Sequence, residues 1–178
     1  MNHVVFRNYW LTLYHGRAVD YAAPERPDLL LTNPYGPIAD RLLNVPMLVH
    51  QWKHRLTQLA GWIRHEEADL QLVSLWNRGR EAVWAVGLPV LPVDLSDLVP
   101  TEEGWWPEAL PRRLLAVYGH VGETVWDGFC GRCTGALAAR EVGMNFIGID
   151  ERMEALDVAR AYLGVEGPVF GQNPDYVP

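Results

Sequence analysis

The stretch ETVWDGFCGRCTGALAAREVGMNFIGID, residues 123–150, decides the fold. It opens with an apolar run at 124–126 that predicts a strand, followed by a turn of small residues and by strong helix formers at 136–142. Gly143 is a typical stop signal for such a helix, and a second apolar run then ends at Asp150. Strand, glycine-rich turn, helix, strand and acid together indicate a βαβ unit. Such a unit places a nucleoside at the helix N-terminus, with the carboxylate at its ribose hydroxyls.

These residues resemble the first two motifs of a known family, the amino methyltransferases that modify adenine or cytosine in DNA with S-adenosylmethionine (AdoMet). The family's first motif reads roughly Asp-Pro-Phe-x-Gly-Ser-Gly-Thr, and this chain matches it at four positions, Asp127, Phe129, Gly131 and Thr134. The family's second motif resembles the run that ends at Asp150. The resemblance implies AdoMet as the cofactor, bound by these five residues.

Two positions depart from the first motif. Gly128 stands where the family has Pro, and Cys133 stands where it has its second Gly. At that second glycine the family's backbone lies against the cofactor, so we expect the Cβ of Cys133 to crowd AdoMet.

A strand near the N-terminus belongs to the same resemblance. The β-rich run at 9–14 is closed by His15 and Gly16. Related enzymes begin with such a strand, and its end lies near the adenine of the cofactor, which implies a cofactor contact at His15. Arg17 stands where the family has an Asp.

The second functional stretch is Asp28-Leu29-Leu30-Leu31-Thr32-Asn33-Pro34-Tyr35. Its apolar run predicts a buried, parallel strand, and the carboxyl ends of such strands are where open α/β sheets bind ligands. The last residues resemble the family's catalytic motif, in which Asp, Asn or Ser precedes Pro-Pro and an aromatic, with one residue missing. Either Asn33 is the catalytic polar residue, or Thr32 holds that place and Asn33 replaces the first Pro. The lead-in from Asp28 favours Asn33.

The resemblance implies methyl transfer to the exocyclic amine of a base flipped out of double-stranded DNA. Such an amine is a poor nucleophile, because its lone pair is conjugated with the ring. The Asn33 side chain and the Pro34 carbonyl are expected to accept its two N–H bonds, while Tyr35 stacks on the base. Asn33 favours adenine over cytosine as the target. The catalytic motif precedes the AdoMet motif, which is one of the permuted orders of this family.

The rest of the chain predicts a single α/β domain over 1–178. We expect a Rossmann-like methyltransferase fold with a mostly parallel, twisted sheet and helices on both faces. The predicted elements are strands at 68–75 and 81–86 and helices at 46–67, 107–120 and 152–163. The resemblance implies that residues 88–106 are a reduced recognition loop, and residues 164–178 are expected to form a C-terminal tail.

The longest predicted helix, 46–67, carries the basic residues His50, Lys53, His54, Arg55, Arg64 and His65. Two interpretations of this helix stay open: its basic face is solvated, or it contacts phosphates. The net charge of −7 argues against a broadly basic nucleic-acid binder, so any DNA contact must come from a local patch. No metal is expected, because no Cys or carboxylate stands at ligand spacing with these histidines.

Composition predicts a cytoplasmic protein without a membrane segment or signal peptide. Two cysteines give no disulfide framework. A small acidic enzyme with a reduced recognition loop is expected to need an oligomer, such as a homodimer, or a partner to hold its substrate.

Two other functions stay open. Cys130 and Cys133 form a C-x-x-C motif at a helix N-terminus, which is typical of thiol–disulfide oxidoreductases. The departures from the family motifs also fit a degenerate methyltransferase fold that acts as a binding or scaffold protein.

Overall fold

Eight strands and four α-helices make up the computed structural model, which describes residues 2–165. The strands are β1 (His3–Arg7), β2 (Leu11–His15), β3 (Leu29–Thr32), β4 (Met47–Trp52), β5 (Gln71–Trp76), β6 (Glu81–Val86), β7 (Thr124–Asp127) and β8 (Asn145–Asp150). The helices are α1 (Leu56–Ile63), α2 (Ala109–Tyr118), α3 (Thr134–Val142) and α4 (Met153–Leu163).

All eight strands belong to one sheet, in the order β1-β2-β8-β7-β3-β4-β6-β5. The five strands from β2 to β4 in this order are parallel. The outer strands β1, β6 and β5 pair antiparallel with their neighbours. The sheet is therefore mostly parallel, as predicted, and the carboxyl ends of its central strands meet at one edge.

Each face of the sheet is covered by helices. Leu29 and Leu31 of β3 belong to a core cluster with buried residues of α2, α3 and α4. Leu30 belongs to a second cluster with buried residues of α1. Because side chains alternate along a strand, a strand between two covered faces needs an unbroken apolar run, which β3 has.

The stretch from β7 to β8 folds as its sequence predicts. α3 begins at Thr134 and is preceded by Cys133, whose φ of 58° lies in the left-handed region. It ends at Gly143, whose φ of 82° lets its N–H cap the carbonyls of Ala139 and Arg140. The predicted strand, turn, helix, strand and terminal acid are all confirmed.

The predicted helix over 46–67 is wrong. Its first third is β4, which lies between β3 and β6, and a 3-10 turn at Lys53–Arg55 leads into the shorter α1. Residues 47–51 are fully buried, because both faces of this strand are covered. An apolar run of this kind fits a helical period as well as a buried strand. The predicted basic helix face therefore does not form, and His50 lies inside the sheet.

The edges of the sheet also differ from the prediction. β1 adds a strand at one edge that the sequence had not suggested. The strand predicted at 68–75 forms as β5, but it lies at the opposite edge with Leu72 half exposed rather than buried. Residues 88–106 contain turns but no helix or strand. Of the predicted tail only 164 and 165 are described. Among the described helices, none has the length and apolar character needed to cross a bilayer.

Gly148 in the middle of β8 tests the packing of this core. A Cβ there would lie 2.9 Å from Leu13 Cδ2 and 3.0 Å from the sulfurs of Cys130 and Cys133. We expect Gly148→Ala to lower the free energy of unfolding by about 1–3 kcal/mol, since overpacking forces neighbours to shift. Gly61→Ala in α1 is the matched control. Nothing lies within 4 Å of its Cβ, so it should be neutral or stabilising. Urea unfolding of both variants measures the difference, and equal stabilities would contradict the packing described.

Candidate active site

A cavity of about 620 Å³ opens at the edge where the carboxyl ends of the parallel strands meet. After β7 the chain crosses through α3 to β8, whereas after β3 it passes to β4 on the other side. This reversal is the topological switch point at which open α/β sheets bind ligands. The volume lies within the range of about 300–1,000 Å³ that is usual for small-molecule sites.

Most of the predicted site residues line this cavity. Seven do so: Asn33, Tyr35, Asp127, Phe129, Gly131, Thr134 and Asp150. His15 does not, although Gly16 and Arg17 after it do, and its Nε2 lies 3.1 Å from the carbonyl of Glu151. Pro34 is buried and also lies off the cavity wall. The structure thus brings together the two stretches that the sequence had singled out.

The carboxylate of Asp150 accepts four hydrogen bonds. Oδ2 accepts from the backbone N–H of Gly131 at 2.9 Å and from Nη2 of Arg152 at 3.2 Å. Oδ1 accepts from the backbone N–H and from Nε of Arg152, both at 3.0 Å. An ionised carboxylate offers about four acceptor positions, so all of them are in use.

Arg152 therefore stands where ribose hydroxyls were expected to bind. Its side chain is 60% exposed, whereas that of Asp150 is only 5% exposed. The guanidinium can move into solvent without breaking the core, and the bond from Gly131 would still hold the carboxylate in place. A ligand that needs Asp150 must displace Arg152.

Asp127 is a second carboxylate in the cavity wall, at the end of β7. Its Oδ1 accepts from the Thr32 hydroxyl at 2.7 Å and from the backbone N–H of Phe129 at 3.1 Å. Its pKa is raised to about 7, because burial, helped by the nearby charge of Asp150, outweighs the two hydrogen bonds, which lower it. Asp127 thus changes its charge near neutral pH.

Cys133 leaves the cavity free. It is fully buried and absent from the cavity wall, and its sulfur lies toward Gly148 of β8. The expectation that its Cβ crowds a cofactor is wrong, because the left-handed backbone turns the side chain into the core. Burial also raises the pKa of both Cys130 and Cys133. A reactive thiol needs the opposite shift, so this pair lacks the character of a redox site.

The turn after β3 is held by Gln51, a fully buried residue of β4. Its Nε2 donates to the Pro34 carbonyl at 2.8 Å and to Oδ1 of Asn33 at 3.4 Å. Its Oε1 accepts from the backbone N–H of Trp52 at 2.9 Å, which fixes the orientation of the amide. Asn33 in turn donates from Nδ2 to the Tyr35 hydroxyl at 2.9 Å. The Pro34 carbonyl, predicted to accept from a target amine, already accepts from Gln51, which leaves its second lone pair for such an amine.

The segment 88–106 also contributes to the cavity wall, through Gly104, Trp105 and Trp106. Trp105 packs on the glycine-rich turn so closely that a Cβ on Gly131 would lie 2.7 Å from its ring. Nε1 of Trp106 donates to Nδ1 of His50 at 3.1 Å, and Nε2 of that histidine lies 2.6 Å from Oε2 of Glu81. The segment 88–106 is thus anchored on the sheet.

Sequence reasoning had missed four residues of this site: Gln51, Trp105, Trp106 and Arg152. The pair of tryptophans was visible as an aromatic cluster, but nothing in the sequence pointed it at the glycine-rich turn. Gln51 was hidden by the mistaken helix, which placed it away from the β3 turn. Arg152 follows Asp150 by two residues, and this spacing was the available sign that the two side chains could pair.

Comparison with known proteins identifies the relatives of this fold. A family profile described as DNA methylase matches residues 98–161, which include α2, the glycine-rich turn, α3 and β8. A comparison with curated proteins gives no match.

Solved structures resemble most of the chain. M1.HpyAVI is 20% identical with a TM-score of 0.59, and the match covers 86% of this chain and 99% of that one. A putative DNA modification methylase from Thermus thermophilus is 13% identical with a TM-score of 0.54, covering 90% of each chain. PvuII DNA methyltransferase, specific for cytosine N4, is 11% identical with a TM-score of 0.54, covering 88% and 94%. The predicted methyltransferase fold is confirmed.

Asp127 predicts a pH dependence of stability. Its pKa is about 7 in the folded protein and about 3.9 in an unfolded chain. Between these values the folded state binds the extra proton, so stability falls as pH rises from about 4 to about 7. Asp127→Asn keeps the acceptor Oδ1 and removes the titration. We expect the variant to be more stable than wild type above about pH 7, on the order of a few kcal/mol, with the difference shrinking toward pH 4.

Urea unfolding at several pH values measures this difference. Asp157→Asn, at an exposed position of α4, is the matched control and should follow the wild type. A wild-type stability that does not change over this window would show that Asp127 titrates elsewhere.

Proposed function

We propose that the protein transfers a methyl group from AdoMet to an exocyclic amine of a DNA base, with adenine favoured over cytosine. The observation that carries the proposal is that the β3 turn and the glycine-rich β7 turn open into the same cavity. One turn supplies the residues expected to orient an amine, and the other supplies those expected to bind the cofactor.

The comparisons support the same function. The DNA methylase match covers the glycine-rich turn and the second acidic strand. M1.HpyAVI, which shares the fold, has also been solved as a complex with SAM. One neighbour is specific for cytosine N4, so the preference for adenine rests on Asn33 alone.

The residues of the cavity fit AdoMet. The volume suffices, Cys133 is turned away, and Asp150 lies at the end of the wall formed by β2 and β8. Asp150 would hold the ribose hydroxyls once Arg152 has left it, and the ionised form of Asp127 would favour a cationic ligand. AdoMet itself supplies an electrophilic methyl group.

The other end of the cavity fits a flipped base. Asn33 and Tyr35 line it, and the ring of Phe129 lies 6.4 Å from that of Tyr35, edge to face. Tyr35 is 60% exposed, which leaves its ring free to stack on a base. Oδ1 of Asn33 would accept one N–H bond of the target amine, while Gln51 holds the Pro34 carbonyl and thereby the shape of the turn.

The alternative alignment with Thr32 as the catalytic residue has less support. Its hydroxyl is buried, donates to Asp127 and does not line the cavity. The homodimer, base flipping in double-stranded DNA and the cytoplasmic location remain predictions.

The cofactor site is tested by calorimetric titration with AdoMet. Asp150→Ala should weaken binding at least tenfold, since a charge-assisted hydrogen bond is worth about 1.5–3 kcal/mol. Arg152→Ala should bind AdoMet equally or more tightly, because it frees the carboxylate. Asp157→Ala, remote from the cavity, is the control. An unchanged affinity in Asp150→Ala with an intact fold would assign the carboxylate another role, and no heat from the wild type would favour the scaffold function.

The chemistry is tested by tritium transfer from labelled AdoMet to unmethylated DNA of mixed sequence. Asn33→Ala should abolish transfer with AdoMet affinity nearly intact, because the lost contact acts mainly in the transition state. Gln51→Glu replaces the amide that donates to Pro34 and Asn33 with a carboxylate, which cannot donate, so methyl transfer should slow. The transfer rate should recover as pH falls, because the protonated carboxyl group can donate again. Nucleoside digestion then identifies the modified base.

Thr32→Ala provides the comparison for the catalytic assignment. Transfer that survives Asn33→Ala but not Thr32→Ala would reverse the alignment. Transfer that survives both would remove this turn from the mechanism.

A further inference from the structure

We propose that four cations at one edge of the sheet, Lys53, Arg55, Arg78 and Arg80, bind the phosphate backbone of duplex DNA beside the cavity. We call these four residues the basic edge. The proposal rests on the proposed function for its choice of DNA, but it concerns a surface outside the cavity wall.

The basic edge is assembled by strand pairing. Lys53 and Arg55 follow the carboxyl end of β4, and Arg78 and Arg80 lie in the turn between β5 and β6. Trp52 of β4 pairs with Glu81 of β6, so the two segments meet, and the backbone N–H of Lys53 donates to the carbonyl of Arg80 at 3.2 Å. Because β3 and β4 are parallel, this is the edge at which the cavity opens.

Within residues 2–165, the side chains of these four cations have no ion-pair, hydrogen-bond or ring partner. Among the other arginines of that range, Arg26 alone also lacks such a partner. Lys53, Arg78 and Arg80 are exposed, and Arg55 is half-buried. The nearest carboxylate in sequence, Glu81, is buried and held by Asn77 and His50. In a chain of net charge −7, four unpaired cations at one edge point to an anionic partner.

The basic edge reaches the cavity on the side of Tyr35. Burial raises the pKa of the Tyr35 hydroxyl, and the charge of Arg55 opposes that rise, which places Arg55 within electrostatic reach of this cavity residue. Gln51, two residues before Lys53, donates to the Pro34 carbonyl next to Tyr35, so the basic edge begins beside the turn that lines the cavity. A strand whose base enters there would have its backbone near these cations. Cations grouped beside a base pocket match a phosphate backbone, and contacts to that backbone position a duplex without reading its sequence.

The contacts of the segment 88–106 are consistent with a separate DNA-binding surface. Its two tryptophans are committed to the glycine-rich turn and to His50, as part of the cavity wall. These two side chains are therefore not free to contact DNA outside the cavity, and the basic edge would supply such a contact.

The test measures binding of the full-length protein to a fluorescent DNA duplex of mixed sequence, by anisotropy at several salt concentrations. The variant carries Lys53→Gln, Arg55→Gln, Arg78→Gln and Arg80→Gln. The control carries Arg26→Gln, Arg64→Gln, Arg112→Gln and Arg113→Gln, which remove the same charge from other surfaces. We expect the first variant to bind at least about tenfold more weakly at about 100 mM salt. The slope of log K against log salt should flatten by about 3–4, and the control should follow the wild type.

Equal losses in both variants, or no loss in the first, would overturn the proposal. A wild type that binds no duplex, or that binds single-stranded RNA more tightly through the same four residues, would overturn the choice of duplex DNA. AdoMet titration of the first variant separates this surface from the proposed function, because the variant should bind AdoMet as the wild type does. DNA binding through the basic edge without any methyl transfer by the wild type would leave the surface standing and refute the enzyme.

Discussion

The pairing of β3 with β7 is the constraint on which the site depends. The two strands run parallel and are joined beyond their last paired residues by the bond from Thr32 to the buried Asp127. Past that bond their chains leave in opposite directions, one to β4 and the other into α3. The cavity is the space between them. The strand pairing and this hydrogen bond together fix the relative position of the turn expected to face a base and the turn expected to face a cofactor.

The cavity combines two buried carboxylates with little compensating charge. Burial of Asp127 raises its pKa to about 7, so it can hold a proton near neutral pH. The charge of buried Asp150 is stabilised by Arg152 and by the backbone N–H of Gly131. Both arrangements suit a cationic ligand that bears hydroxyl groups, since such a ligand would replace a proton at one carboxylate and a guanidinium at the other. The net charge of the two carboxylates and their partners therefore depends on whether such a ligand is bound.

The sequence predicted those parts of the molecule whose signals are local. The βαβ unit from β7 to β8 and the apolar run of β3 carry their own boundaries, so their strands, helix and terminal residues were found. The helix predicted over 46–67 was wrong, because a strand buried on both faces has no period of two. Gln51 escaped for the same reason. Its role depends on the order of strands in the sheet, which places β4 beside β3. No short stretch of sequence predicts that order.

The bond between Trp106 and His50 bears on how a substrate reaches the cavity. His50 is fully buried, and burial lowers its pKa although the carboxylate of Glu81 opposes this, so Nδ1 is an acceptor that depends on the indole N–H. Lifting Trp106 would leave that acceptor unsatisfied inside the protein. This hydrogen bond therefore opposes an outward movement of the tryptophan side of the cavity. A ligand would then enter past exposed lining residues such as Tyr35 and Arg152.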